Sequence, residues 1–508
     1  MKDDTVKILS KGIFLKSVSN QLVMLAGLII SILLNRCYGK ENYGLIVLTY
    51  TIIGFVSSLT SLGVKPALNR FLPQYMQQGD LKSTASMILI SLFYQIAGLV
   101  IFGITVLFLS NFISHCVYHK ESLKPFLIAG VAYMTGVSLS DYVFQVFQGL
   151  QDWKKDAITN LLYMGFYLLF IVVIIYFLKL PIISIFYANL FASLVTFITG
   201  SLMLPKSIRK YLTKIPERKT IFEQSKKMFG FGLPLMLSPI NFFLITWFDK
   251  AILGKYVPLE KLALYYIAFL FFSALFATFK VLNTVLMPYL ATIAENLDAQ
   301  IRMKFEIVFR WFIYISILAG ILTFFLIEPV IIHFYGRDYL EAVFIFRLFL
   351  ILFFIRSVQS AFGMFAMNVY ALTKRVAFTG ILLAFSTIIL NILLVPRYGY
   401  MGAILGNIIA YIIYWIGYLW LIVPLRRIVP LGVVLKTLVL FIVIGSTYYI
   451  LCNIGLINLF LSAFIIVGVF LITLGLLGEI RKEDKELIDR VIYTWKRSNK
   501  ISMAELKT

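Results

Sequence analysis

Residues 377–423 read AFTGILLAFSTIILNILLV-PRYGY-MGAILGNIIAYIIYWIGYLWLIV, two long apolar runs separated by five residues. About 20 predominantly apolar residues are enough for an α-helix to cross the hydrocarbon core of a bilayer. The short connection at 396–400 leaves room only for a tight turn. This stretch therefore predicts two antiparallel membrane-spanning helices.

The same pattern recurs along most of the chain. Of its 508 residues, 61% are hydrophobic and 14% charged, and the mean hydropathy is +0.92. Lipid is the solvent that accepts so much apolar surface. Apolar runs of spanning length predict an all-α polytopic membrane protein with about fourteen transmembrane helices.

The charge of the chain is strongly positive, with a formal net charge of +22. If the N-terminus is cytoplasmic, basic residues in the inner loops outnumber those in the outer loops by roughly three to one, which is the usual orientation signal. We therefore expect a multi-pass protein of the cell membrane with both termini cytoplasmic. Because basic cytoplasmic loops account for the positive charge, no nucleic-acid partner is expected. The three cysteines and three histidines are scattered, so neither a metal site nor a disulfide framework is predicted.

A long basic stretch divides the chain into two halves. Residues 1–204 are predicted to form an N-terminal six-helix lobe, and 229–423 a C-terminal six-helix lobe. The stretch at 205–228 is predicted to be a basic cytoplasmic linker. An extra helix pair follows at 432–478. Residues 479–508 are predicted to form a cytoplasmic amphipathic tail, with a partly disordered solvated tail as the alternative.

Two short motifs are repeated at an offset of 214 residues. Residues 68–75 and 282–289 both read L-N-x-x-L-x-x-Y, and Asn35-Arg36 corresponds to Asp249-Lys250. An even number of spans between the copies preserves their orientation. The two lobes are therefore expected to be parallel repeats related by an axis along the membrane normal, with substrate bound between the halves.

Several motifs together resemble the polysaccharide flippases of the multidrug/oligosaccharidyl-lipid/polysaccharide exporter superfamily. The similarity covers most of residues 10–425. The motifs are N-R-C-Y-G-K-E-N-Y-G at 35–44, L-G-V at 62–64, A-L-N-R-F at 67–71, F-Q-G-L-Q at 147–151, F-G-F-G-L-P at 229–234, W-F-D-K at 247–250 and P-R-Y-G-Y-M-G-A at 396–403. Cys37-Tyr38 departs from the small residue and leucine that the family usually has.

The resemblance implies a flippase rather than an enzyme. Its cargo would be an oligosaccharide linked to a polyprenyl (di)phosphate, moved from the cytoplasmic to the outer leaflet by alternating access for surface polysaccharide biosynthesis. Partners would be this lipid-linked glycan, membrane lipids, and a glycan polymerase or glycosyltransferases. No cofactor is expected, and coupling to a proton or sodium ion stays open.

Charged residues inside spans are costly and therefore mark candidate substrate-binding positions. Arg356 lies in the middle of the tenth span with Gln359 one turn later, whereas Arg347 is half a turn out of phase and is expected to snorkel or to form an ion pair. The further candidates for phosphate binding are Lys280, Arg36, Lys250, Arg70, Asn69 and Asn283. Asp249 and Asp141 are candidates for ion coupling or for salt bridges.

Two other functions remain open. The first alternative is a multidrug or small-molecule exporter of the same fold, although such a cleft should be acidic. The second alternative is a polytopic glycosyltransferase or polysaccharide polymerase, although the outer loops are short and offer no paired carboxylates. Pro234 and Pro239 in the seventh span additionally predict a kinked or discontinuous helix.

Overall fold

The computed structural model describes residues 2–295, 301–368, 372–421, 430–453 and 459–479. Every regular element within these ranges is helical, and the described chain contains no β-strand. The predicted all-α class is therefore confirmed.

The first half of the chain forms eight helices, six of them long. They are α1 (Lys2–Thr60), α2 (Val64–Gln77), α3 (Leu81–Phe112), α4 (Leu123–Gly149), α5 (Trp153–Val172), α6 (Ser184–Met203), α7 (Lys206–Leu212) and α8 (Arg218–Leu235). Single π-helical turns, Ile113–Val117 and Val173–Leu178, extend α3 and α5. The segment predicted as a linker, 205–228, thus contains α7 and the beginning of α8.

The second half forms seven further helices in the described ranges. They are α9 (Leu237–Tyr256), α10 (Leu259–Glu295), α11 (Ile301–Phe334), α12 (Leu340–Asn368), α13 (Thr373–Leu421), α14 (Leu431–Asn453) and α15 (Leu459–Leu476). Only Met236, which lies between Pro234 and Pro239 and keeps helical φ and ψ angles, separates α8 from α9, and the predicted kink or discontinuity stays a prediction. The tail from 480 to 508 lies outside the described residues.

Two of the long helices are hairpins folded at a glycine. In α1, Gly39 has a φ of 79°, and the Tyr43 hydroxyl donates to Ser31 Oγ at 2.8 Å across the turn. In α13, Gly399 has a φ of 57°, and Gly402 packs against the backbone of Leu394. A positive φ is readily available to glycine, so both hairpins turn where the sequence supplies one. The tight turn predicted at 396–400 is confirmed.

Eleven helices of the described chain are long and apolar enough to cross a membrane. Two of them, the hairpins α1 and α13, each contain two antiparallel spans. With the 29-residue α12, the described ranges account for about fourteen spans, as predicted.

The chain divides into two compact units. Unit 1 comprises Met1–Ile267 and Ala384–Gly406, and unit 2 comprises Ala268–Leu383 and Asn407–Thr508. These boundaries differ from those of the two predicted six-helix lobes, and the lobe assignment stays a prediction.

Small residues let the helices of unit 1 approach closely. A Cβ atom on Gly63 would lie 2.5 Å from the Gly232 backbone, so the start of α2 touches α8 with no side chain between them. Gly44 meets the Leu259 backbone in the same way. The Gly63 contact fixes the start of α2, which carries the candidates Asn69 and Arg70.

Phenylalanine rings fill the core of unit 2. Phe272 stacks on Phe349 with ring centroids 5.2 Å apart, and Phe279 packs edge-on against Phe312 at 5.2 Å and Phe353 at 5.6 Å. Such aromatic pairs hold α10, α11 and α12 together without polar groups.

Candidate functional site

Arg356 of α12 is surrounded by aromatic rings. Its guanidinium carbon lies 4.3 Å from the ring centroid of Phe276, 5.5 Å from that of Phe272 and 5.7 Å from that of Tyr411. Cation–π attraction holds the charge without neutralising it. No carboxylate of the described ranges forms an ion pair with Arg356. The donors of the guanidinium are therefore not occupied by a carboxylate in the described part of the chain.

Gln359 lies one turn after Arg356 and contacts the same neighbouring helix. Its side chain lies near the Tyr414 hydroxyl of α13, which is also near Thr379. Tyr411, one turn before Tyr414, lies against Arg356. The structure thus brings Arg356 and Gln359 together on one face, as the sequence spacing predicts.

Arg347, by contrast, is neutralised. Its Nη2 atom lies 2.8 Å from Glu328 Oε2 of α11, and its guanidinium lies 4.6 Å from the ring centroid of Phe324. The expectation that Arg347 snorkels or forms an ion pair is confirmed by the pair with Glu328.

Asp249 and Lys250 form a buried ion pair in α9. Lys250 Nζ lies 3.0 Å from Asp249 Oδ1 and donates to the Thr246 carbonyl at 2.7 Å. The Tyr265 hydroxyl donates to Asp249 Oδ2 at 2.6 Å, and Lys250 is fully buried. Buried charges persist only when they are paired and hydrogen-bonded. The geometry favours the salt-bridge interpretation of this pair over a phosphate-binding role for Lys250.

The two candidate binding residues on α2 are exposed. Arg70 lies over the Phe231 ring at 4.2 Å, and Asn69 beside it is also exposed. At the outer end of the first span of α1, Arg36 is exposed, while Asn35 is buried and donates to the Ser31 carbonyl. These residues lie in separate parts of unit 1 rather than in one cluster.

Two candidates on α10 have side chains outside the described residues. The backbone of Lys280 and Asn283 is helical, and the binding role expected of both residues stays a prediction.

The sequence analysis missed an ionic cluster at one end of unit 1. Lys16 of α1 lies 2.8 Å from the buried Asp156 of α5, which also accepts a hydrogen bond from Gln148 of α4 at 3.3 Å. Asp141 is solvent-exposed, and its carboxylate feels the positive charges of Lys65 and Lys16. Lys16 and Asp156 are 140 residues apart in sequence, so only their folded positions reveal the cluster.

Lys65 was likewise not singled out from the sequence. It is exposed in the first turn of α2 and forms no ion pair with any carboxylate that the structure describes. The left-handed Gly63 ends the preceding helix and starts α2, so Lys65 belongs to a new helix rather than to a loop.

A second ionic cluster joins the last two helices to α11. Glu479, just after α15, pairs with Lys436 of α14 and lies 3.6 Å from the fully buried Arg310 of α11. Burial raises the pKa of Glu479, but the hydrogen bond from Lys436 and the positive charges of Lys436 and Arg310 outweigh it, so the pKa is lower than usual. Within the ranges described above, no group of three histidine, cysteine or acidic residues could hold a metal ion.

Solved transporter structures share this fold. A lipid II flippase MurJ in an inward closed conformation is similar with a TM-score of 0.70 and 18% identity, covering 92% of this chain and 100% of that one. An inward-facing multidrug resistance MATE transporter of the MOP superfamily has a TM-score of 0.63 and 16% identity, covering 80% of this chain and 95% of that one. At these identities the similarity shows the fold.

A third similar structure is a MOP superfamily transporter from Pyrococcus furiosus, described as having a binding pocket of reverse polarity. Its TM-score is 0.56 at 16% identity, with 83% of this chain and 98% of that chain covered. A search of curated proteins by sequence finds no significant match. The family model for polysaccharide biosynthesis proteins matches residues 9–294, which is more than half of the chain. The chain therefore belongs to the polysaccharide biosynthesis protein family, with the fold of MurJ and MATE transporters.

Proposed function

We propose that this protein is a flippase for an oligosaccharide linked to a polyprenyl (di)phosphate. It carries the glycan head from the cytoplasmic to the outer leaflet of the cell membrane by alternating access, with both termini cytoplasmic. The observation that carries the proposal is Arg356, an intramembrane cation held by aromatic rings and paired with no described carboxylate.

The chemistry of the cargo explains why such a cation is needed. A diphosphate and a glycan cannot enter hydrocarbon because their charges and hydroxyls lose water. A guanidinium presents a planar set of donors that matches phosphate oxygens, and its hydrogen bonds to an ionised acceptor are strong. Its position is fixed by Phe272, Phe276 and Tyr411, so little side-chain conformational entropy is lost when the anion binds.

Exposed cations on α2 give the anion a further contact. Lys65 and Arg70 lie on one short helix, at the end of α1 that the loop charges place on the cytoplasmic side. Clustered basic side chains attract anionic lipid head groups over about a Debye length. Their role is to collect the lipid phosphate, and glycosyltransferases or a polymerase make or consume the glycan it carries.

Asp141 is the candidate for ion coupling. It is exposed within a membrane-spanning helix, and it is near the ionic cluster of Lys16 and Lys65. An intramembrane carboxylate that water reaches can bind and release a proton or sodium ion. Asp249 is engaged with Lys250 and Tyr265 instead, which favours a structural role.

The multidrug-exporter alternative rests on the shared fold. A small-cation cargo needs unneutralised carboxylates in the transport path. Asp156, Asp249 and Glu328 are each paired with a cation, and the exposed Asp141 lies near Lys16 and Lys65. Arg356 is paired with no carboxylate of the described chain. The balance of charge favours an anionic cargo.

Transport in reconstituted vesicles tests the function. A polyprenyl diphosphate carrying a fluorescent oligosaccharide is added, and the rate at which the label reaches the opposite leaflet is measured by quenching. We expect Arg356→Gln to lower this rate at least about tenfold, because the variant loses one charge-assisted hydrogen bond to the phosphate. Arg356→Lys should lose less because the charge remains.

Arg337→Gln is the matched control. Arg337 is exposed in the turn before α12, so its loss removes the same charge without touching the aromatic rings. Unchanged transport by Arg356→Gln, or an equal loss in the control, would contradict the proposed role. Transport of small cations but not of the glycolipid would favour the exporter alternative.

A further inference from the structure

Four tyrosines from three helices of unit 1 form one continuous surface, the tyrosine wall: Tyr50 of α1, Tyr133 of α4, and Tyr163 and Tyr167 of α5. Tyr50 and Tyr133 have ring centroids 4.5 Å apart, and Tyr163 stacks on Tyr167 at 6.2 Å with an interplanar angle of 15°. The hydroxyls of Tyr50 and Tyr167 are 3.0 Å apart. The two pairs are therefore linked into a single wall.

The tyrosine wall faces a space that water reaches. Tyr133 and Asp141 are eight residues apart on α4, which places them within about a quarter turn of each other around the helix axis. Asp141 is exposed, and its charge acts on both Tyr133 and Tyr163. An exposed carboxylate is far too costly in contact with lipid tails, so this face of α4 points to an aqueous interior.

The hydroxyl groups of the tyrosine wall are only partly used. Asn189 of α6 donates to the Tyr163 hydroxyl at 2.6 Å, and Tyr50 pairs with Tyr167. The Tyr133 hydroxyl makes no hydrogen bond with any residue that the structure describes. Tyr50, Tyr133 and Tyr163 are all partly exposed. Ring faces and polar edges are thus both available to a ligand.

Packing alone does not require hydroxylated rings at these positions. The core of unit 2 is built from phenylalanines such as Phe272, Phe349 and Phe353, which pack without hydroxyl groups to satisfy. Burying an unpaired hydroxyl costs free energy, so four neighbouring tyrosines in a membrane interior indicate contact with something polar. The ligand must offer apolar faces and hydroxyl edges together.

We propose that the tyrosine wall binds the sugar residues of the transported lipid, which assigns unit 1 a glycan subsite. One face of a pyranose ring is a patch of C–H groups that packs on an aromatic ring, and its hydroxyls hydrogen-bond at the rim. Tyr133 and Tyr163 supply the ring faces, and Asn189, Asp141 and the tyrosine hydroxyls supply the polar rim. This inference rests on the proposed flippase function and adds the part of the cargo that unit 1 recognises.

Binding by the intact protein in lipid nanodiscs tests the subsite. The two probes are a bare polyprenyl diphosphate and the same lipid carrying a β-linked glucose tetrasaccharide, and the dissociation constants are measured for both. Ring stacking depends little on which sugar is present, so the wild type should bind the glycosylated lipid more tightly. Tyr133→Leu should lower that preference about five- to tenfold, the loss of one aromatic contact.

Two further variants separate recognition from packing. Tyr133→Phe keeps the ring face and should keep most of the preference, whereas a purely structural role predicts that both variants act only on thermal stability. Tyr176→Leu is the control, because Tyr176 is 56% exposed at the far end of α5, away from the tyrosine wall. It should leave both constants unchanged.

The outcomes distinguish this inference from the proposed function. If the wild type binds neither lipid, the flippase proposal fails and the subsite fails with it. If it binds both lipids equally, or if Tyr133→Leu keeps the full preference for the glycosylated lipid, the subsite is overturned while the phosphate site stands. A preference lost in Tyr133→Leu and kept in Tyr133→Phe supports the glycan subsite.

Discussion

Unit 1 and unit 2 differ in how they hold their interior cations. In unit 1 the partly buried Lys16 and the buried Lys250 are each paired with an aspartate, and tyrosine hydroxyls line the interior. In unit 2 phenylalanines fill the core and two kinds of cation occur: Arg310 and Arg347 are paired with glutamates, whereas Arg356 is held against ring faces without a described carboxylate. A paired charge stabilises a fold, whereas a charge held only by rings stays available to a ligand. The comparison therefore separates structural cations from binding cations.

The largest effect is expected when one buried cation is removed. Lys250→Met removes the cation that faces Asp249 in the buried interior, which should destabilise the protein by about 3–5 kcal/mol. Arg356→Met leaves no described carboxylate unpaired and should change stability by only about 1 kcal/mol while transport is lost. Thermal unfolding in detergent, measured beside vesicle transport, compares the two variants.

The double variant Asp249→Leu with Lys250→Met is the control for this test. Removing both charges should recover much of the lost stability, since the desolvation cost disappears together with the attraction. If Arg356→Met unfolds the protein as readily as Lys250→Met, the distinction between carboxylate-paired and ring-held cations is wrong.

A smaller effect is expected at the ionic cluster of unit 1. Lys16→Met leaves Asp156 with only its bond to Gln148, and Lys16 is 17% exposed, so water can partly replace the lost partner. We expect a loss of about 1.5–3 kcal/mol, as for a hydrogen bond to a charged group. Chemical unfolding followed by tryptophan fluorescence measures it, and Lys154→Met, an exposed lysine at the start of α5, should change little.

The smallest expected effect is on the pH dependence of stability, through Glu479 of unit 2. The folded pKa of Glu479 is lower than usual, so its bonds to Lys436 and Arg310 stabilise the fold above the ordinary glutamate range. That contribution is lost as the pH falls through the folded pKa. The unfolding temperature of the wild type should therefore drop more steeply below about pH 4.5 than that of Glu479→Gln. Parallel curves for the two proteins would contradict this role.

Most of the fold was readable from the sequence, but only part of the site. Apolar run lengths predicted the number of spans, and the short connection at 396–400 predicted the turn that the structure places at Gly399, because lipid imposes helix length. Helical spacing correctly grouped Arg356 with Gln359 and separated Arg347. These are local properties, set within a few turns of one helix.

The contacts that the sequence did not reveal join distant parts of the chain. Lys16 and Asp156 are 140 residues apart, and the tyrosine wall is assembled from α1, α4 and α5. No periodicity within one helix says which face of another helix it will meet. Lys250 lies beside Asp249 in sequence, but only its complete burial shows that the two residues neutralise each other.

The contact of Gly63 with Gly232 bears on how fast unit 1 can change shape. Two backbones touch there directly, and a Cβ atom on either residue would overlap the other chain. A seam without side chains has no rotamers to rearrange when it separates and none to search when it closes again. Sliding or parting of α2 and α8 along this seam is therefore limited by backbone motion, and a single added methyl group would act as a permanent wedge.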